Sequence, residues 1–466
     1  MGRVIFIGLL LIGAVRSTSA QELLEQIVSE KDSVELAGER YFRELQKQRK
    51  IYERRLLTEP KQTLDSVYLA LIKTKRSEAL ERLTFYEQND RIDTLYEIDL
   101  SYFGLKKIPE FVYRANALKV LILDFNSIKR LPKKLQGLDS LKRLYWRGNN
   151  LDDVLWVRMP KLKELTKLDL SKNKLRKVPF AIRKLDGLRE LVLEENLFKA
   201  IPIRRVSRNT SIKTLSFNRN HIPLQLLEGR YDQLEFIQIL KINNVKLERI
   251  HPTFYKMAGL KDLQLQENRL KRIPAGIDQL KKLEKLSFYK NQLTKIPEDV
   301  FQLVGLTAVD FYYNKIEIIP EEIGQLEKLQ ALYLSHNRIY TIPESIKYLT
   351  NLKELYLHHN RLTALPSAIS ALDSLEVCRV NENYLMEFPE QFIGLQKLKD
   401  LDLADNQIKR IPADILDMPS LYLFTITNNP INFSDSQNEN IANVLYELSQ
   451  RGVIVAPRIE KEIMGD

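Results

Sequence analysis

LKDLQLQENRLKRIPAGIDQLKK, residues 260–282, is a unit that recurs. Its apolar positions are 1, 4, 6, 11, 14, 18 and 21, with asparagine at 9 and proline at 15. The same frame restarts at Leu283, Leu306, Leu329, Leu352, Leu375, Leu398 and Leu421. Upstream it is recognisable from Leu95, Leu118, Leu141, Leu165, Leu188, Ile212 and Ile237. That makes about 15 units, seven upstream and eight from Leu260 onward. The units beginning at Leu141 and Leu188 are one residue longer than 23 and the Ile212 unit is two longer, insertions that belong in loops. A fixed period of this length marks a solenoid, in which each unit covers its apolar face only with its neighbours.

The chemistry of the unit follows from its spacing. Leucines at 1, 4 and 6 suit a short strand whose alternate side chains enter a core. Strands of successive units would lie parallel, about 4.8 Å apart, on one face. An asparagine at position 9 can donate and accept where the chain turns inward and loses its strand partners. Stacked over many units it forms a ladder, which Phe103 and Val245 interrupt in the units from Leu95 and Ile237. Proline near position 15 fixes φ and prevents a long helix on the opposite side.

This frame resembles the leucine-rich repeat family. Its "IP-x-x-I" second half looks like the short repeats of the Ras-suppressor and bacterial surface type. The resemblance covers residues 95–430. It implies an α/β solenoid, a curved horseshoe with a parallel β-sheet on the concave face. It is specific for fold and nearly silent on function.

The ends differ from the array. Residues 1–20 have Arg3, the apolar run Val4 to Val15 and small residues to Ala20, the layout of a secretory signal peptide cut after Ala20. The run is shorter than the roughly 20 residues a bilayer span needs. The mature chain is then expected to leave the cytoplasm, to be secreted, periplasmic or on the cell surface. Residues 21–94 are rich in Glu, Lys, Arg and Leu, with apolar residues at helical spacing, and read as a helical N-terminal cap or a docking module. Residues 431–466 read as a C-terminal cap, with a helix over Ile441 to Leu448 and a strand at Val453 to Val455.

Several chemistries have no support in the sequence. No phosphate loop, metalloprotease, nucleophile-elbow or dinucleotide motif occurs, so no enzyme and no cofactor are expected. The single cysteine, Cys378, occupies an inward strand position, which excludes a disulfide within the chain. Nucleic acid is not an expected partner, because no recognition motif accompanies the positive charge.

The formal net charge of +11 sorts by face. Charges at the concave positions nearly cancel. The positions after the asparagine collect Lys106, Lys107, Lys129, Arg130, Arg176, Lys177, Lys271, Arg272, Lys409 and Arg410, opposed by few acidic residues. This basic flank reads either as a surface for acidic glycan or lipid or as a solvated edge. The concave positions of the units from Leu283 to Leu375 gather Tyr289, Tyr312, Tyr313, Tyr333, His336, Tyr356, His358, His359 and Arg379. Tyrosine and arginine carry binding energy at interfaces, though tyrosine also suits any exposed strand. The histidines could meet a zinc ion only if their nitrogens converge, and no metal site is expected. The function expected is an exported, non-catalytic module that binds another protein through its concave face. An acidic glycan or lipid surface on the basic flank is the alternative. A cytoplasmic signalling scaffold follows if the N-terminus stays uncleaved.

Overall fold

The computed structural model describes residues 85, 86, 88, 91–152, 162–222, 225–226, 229–431 and 439–456. The chain divides into two units, Met1–Glu78 and Ala79–Asp466, and every described residue belongs to the second. The signal segment 1–20 and most of the expected helical cap over 21–94 lie outside the described residues.

Each repeat contributes a three-residue strand, from Glu97–Asp99 to Leu423–Thr425. With Ile454–Ala456 these form an open, 16-stranded parallel sheet in chain order. Pairing follows the repeat: Asp262, Leu263 and Gln264 lie beside Lys285, Leu286 and Ser287. Position 4 therefore stacks in one column. Leu263, Leu286, Val309, Leu332 and Leu355 are at most 2% exposed. Cys378 continues this column and is buried. The opposite side is made of short 3₁₀ turns, such as Glu321–Gln325 after Pro320 at φ −74° and ψ 159°. The proline sets an extended entry, so only one tight turn fits before the next leucine. The array is a curved leucine-rich repeat solenoid with its sheet on the concave face.

The asparagine ladder closes the core. Asn360 donates through Nδ2 to the carbonyls of Leu334 (3.0 Å) and Leu357 (2.8 Å). Its Oδ1 accepts from the Ile339 amide at 3.0 Å. Asn268 repeats the pattern with Ile242, Leu265 and Leu247. At Val245 a buried apolar side chain replaces the amide, and Asn268 Oδ1 accepts from both Val245 and Leu247.

The longer units hold structure that their length alone does not reveal. In the Leu188 unit the convex segment is a helical turn, Ile203–Val206. In the Ile212 unit, Gln225–Leu226 pairs with Arg249–Ile250 in a second, two-stranded parallel sheet. At the C-terminal end the helix Glu439–Gln450 buries Ile441, Val444, Leu445 and Leu448, a single face at helical spacing. At the other end Tyr86 is buried; its ring stacks on Phe111 at 6.0 Å and its hydroxyl accepts from the Asp99 amide at 3.1 Å.

Candidate binding surface

The residue before the ladder position adopts positive φ in every unit, from Tyr102 (66°) through His336 and His359 (both 53°) to Asn428 (57°). Gly148 is the one glycine among them. A left-handed conformation at a non-glycine residue costs on the order of 1 kcal/mol. It is needed here because the chain must swing the following asparagine into the core. The consequence is that position 8 stands at the rim of the sheet, one side chain per unit, in a continuous column.

Neighbours in that column pair. Glu195 lies between Lys172 (3.8 Å) and Arg219 (3.3 Å). Glu267 lies between Asn244 (3.0 Å) and Lys290 (3.9 Å). Then the column turns aromatic. Tyr313 stacks on His336 at 3.9 Å, and His336 stacks on His359 at 3.8 Å. His359 Nδ1 meets Glu382 Oε2 at 2.5 Å, which ends the stack. Stacked rings point their nitrogens along nearly parallel lines, so His336 and His359 do not form the converging pair that a shared zinc ion requires. Among the described residues no group of three or more His, Cys, Asp or Glu side chains is placed to hold a metal ion.

Inside the rim, positions 5 and 7 build the surface proper. Tyr289 and Tyr312 stack at 5.7 Å. Tyr312 does not project outward; it lies along the array. Position 7 of the next unit is the small, fully buried Ser335, so Tyr312 Oη reaches His358 Nε2, two units away, at 3.0 Å. The Ser335 hydroxyl holds the other nitrogen of that ring at 2.8 Å. Burial pushes His358 down to about 3, with help from the neighbouring His336, His359 and Arg379 charges. His336 is pushed down to about 4, by burial first and then by His359. Burial also raises Tyr289 to about 12 and lifts Tyr312 above the usual phenol range. At neutral pH these two imidazoles and both phenols are uncharged.

Position 5 carries Tyr333, Tyr356 and Arg379 on adjacent strands. The tyrosine rings lie 5.1 Å apart, and the Arg379 guanidinium sits 5.7 Å from the Tyr356 ring. Tyr333 donates to Glu354 at 2.6 Å and Arg379 to Asp400 at 2.7 Å. The polar tips are thus engaged within the protein. The nine residues singled out from the sequence form one connected surface, half-buried except for exposed Tyr313. Two of its features were not legible in the repeat frame. Tyr313, His336 and His359 belong to the rim column, and the Arg379 charge is compensated by Asp400.

The ten residues of the basic flank are all exposed. The stripe is not uniform, however. Beside the aromatic units, flank positions hold Ile318, Tyr340, Tyr384 and Met386, which are 49–64% exposed. The apolar character of the concave patch therefore continues onto the neighbouring edge.

The family model described as a leucine-rich repeat region matches residues 298–383, the centre of this surface. Pig fibromodulin is 38% identical over 104 residues, covering 22% of this chain and 67% of that one. The chain belongs to the leucine-rich repeat family. Rice Plant intracellular Ras-group-related LRR protein 8 is 30% identical over 109 residues, covering 23% of this chain. That match spans only 29% of the rice protein's length. Among solved structures, the Leptospira interrogans LRR protein LIC12759 aligns over 80% of this chain and 97% of its own, with a TM-score of 0.61 and 28% identity. Members of the leucine-rich repeat family and fold serve generally as non-catalytic interaction modules, and the sites that distinguish them lie in residues at exposed repeat positions.

Proposed function

We propose that this chain is a non-catalytic module that docks another protein through the concave face of the units from Leu283 to Leu375. The observation that supports this most strongly is the pre-organised aromatic surface there. Tyr312 bonds to His358, which Ser335 also holds, and Tyr333 bonds to Glu354, so these rings are already fixed before a partner arrives. Fixed rings lose little conformational entropy on binding, which favours affinity. The apolar extension through Ile318, Tyr340, Tyr384 and Met386 enlarges the area in the same units.

The same proposal places the mature protein outside the cytoplasm, beginning near Gln21, as the layout of residues 1–20 suggests. It extends to a bacterial surface type; the likeness to the Leptospira protein supports the bacterial part of that reading. N-terminal sequencing of the protein isolated from cells tests export; an intact Met1 start would replace this reading with an intracellular scaffold. For binding, a partner is captured on the full mature chain and its affinity measured against the Tyr333→Ala/Tyr356→Ala variant. Interface tyrosines each contribute about 1–2 kcal/mol when removed, so a loss of about 30-fold or more is expected. Unchanged affinity would remove the concave surface from consideration.

A further inference from the structure

A second cluster lies on the convex side, where the Leu165 unit meets the Leu188 unit with its helical turn. Phe180 is 42% exposed. Three guanidinium groups surround its ring: Arg183 at 4.3 Å, Arg208 at 5.2 Å and Arg205 at 5.3 Å from the centroid. Arg183 comes from the 3₁₀ turn Phe180–Lys184, Arg205 from Ile203–Val206 and Arg208 from the loop just after it. Among the described residues no carboxylate forms an ion pair with any of the three.

Their placement is fixed from below. Asn209 is 5% exposed and donates to the carbonyls of Ile182 (2.8 Å) and Leu185 (2.9 Å), tying the Arg208 loop to the turn that bears Arg183. Its Oδ1 accepts from the Ser211 amide at 3.1 Å, which closes the loop. Three like charges around one ring repel each other, and the ring's quadrupole offsets part of that repulsion. An anion between the guanidinium forks would relieve the repulsion and use their bidentate geometry.

We propose that Arg183, Arg205 and Arg208 form a binding site for sulfate groups on a linear acidic glycan. Arg183 and Arg208 are open to solvent, and the chain neighbours Lys184 and Arg204 are exposed too, which fits a chain of spaced oxyanions. A bilayer fits less well. Phe180 is ringed by three guanidinium groups, and among the described residues no other exposed large apolar side chain lies between Tyr102 and Val304 in the chain to insert into lipid. The site lies on the opposite side from the concave surface and takes a different ligand, so either can fail alone.

The test uses the full mature chain and a heparin-derived octasaccharide in calorimetric titration at about 0.15 M salt. The Arg183→Ala/Arg205→Ala/Arg208→Ala variant is expected to bind about tenfold or more weakly. Replacing the same three by lysine keeps the charge and loses the forks, and a loss of about threefold or more is expected. Removing three exposed lysines elsewhere, Lys133→Ala/Lys328→Ala/Lys397→Ala, should change affinity by less than about twofold. Thermal unfolding checks that each variant is folded. Four results would overturn the proposal: an equal loss in the lysine control, full affinity in the arginine-to-lysine variant, equal binding of the desulfated octasaccharide, or stronger binding to phosphatidylcholine–phosphatidylglycerol vesicles than to the glycan.

Discussion

Asn360→Ala is the substitution whose consequence the structure defines most fully. The side chain is 6% exposed and bridges the Leu329 and Leu352 units. Removing it leaves the buried Ile339 amide without its acceptor, which costs about 1–3 kcal/mol. The carbonyls of Leu334 and Leu357 each lose a donor, adding roughly 1 kcal/mol apiece. The expected total is about 3–5 kcal/mol, and two of the four lost bonds, a long 3.4 Å one to the His358 carbonyl included, cross one interface between units. In a solenoid, stability is a sum of unit and nearest-neighbour terms, so the damage should also weaken coupling between the two halves of the array. Urea unfolding followed by two probes reads both effects. Far-UV circular dichroism reports the whole array, whereas buried Trp146 reports the units near the N-terminus. The variant should unfold at lower urea by circular dichroism, with a smaller shift by tryptophan fluorescence. Asn351→Ala is the control: it is exposed, donates one bond to the Glu327 carbonyl at 2.8 Å, and should cost less than about 0.5 kcal/mol. A loss below about 1 kcal/mol at Asn360, with both probes shifting together, would refute the ladder argument.

Two more outcomes are expected. Stability should be flat above pH about 6.5 and fall as pH drops towards about 4, because the unfolded histidines take up protons in that window while folded His336 and His358 resist until about 4 and 3. Thermal unfolding of the wild type and of His336→Gln/His358→Gln across that range checks the sign, and an undiminished decline in the variant would assign it to other groups. Cys378 should react with a thiol reagent only after unfolding, since burial raises its thiol above the usual range and no surface reaches it; rapid labelling of the native protein would contradict its place in the leucine column.

Much of the fold is legible in a single unit because a solenoid repeats one environment. Once Leu263, Leu265 and Asn268 are assigned, the register of every other unit follows, including the column that Cys378 occupies. The left-handed residue before the asparagine is less visible. Glu267, Lys290, Tyr313 and His336 share no chemistry, and the conformation is imposed by the turn rather than by their side chains. For the same reason, the repeat frame could group Tyr313, His336 and His359 with the concave face but could not show that they stack along its rim.

The surface features follow a different rule. A contact between equivalent positions of adjacent units can be read from a 23-residue period, as with Tyr333 and Tyr356. Contacts that depart from equivalence cannot. Tyr312 reaches His358 across two units because Ser335 is small, a relation between three residues rather than two. The arginines around Phe180 are more hidden still. Arg205 and Arg208 belong to a 24-residue unit whose convex segment is a helical turn, with Arg205 on the turn and Arg208 just after it. A strict frame discards such residues as noise around an insertion. In this chain the insertion changes what the convex surface can bind, and the regular repeats on either side supply the rigid base that makes the change specific.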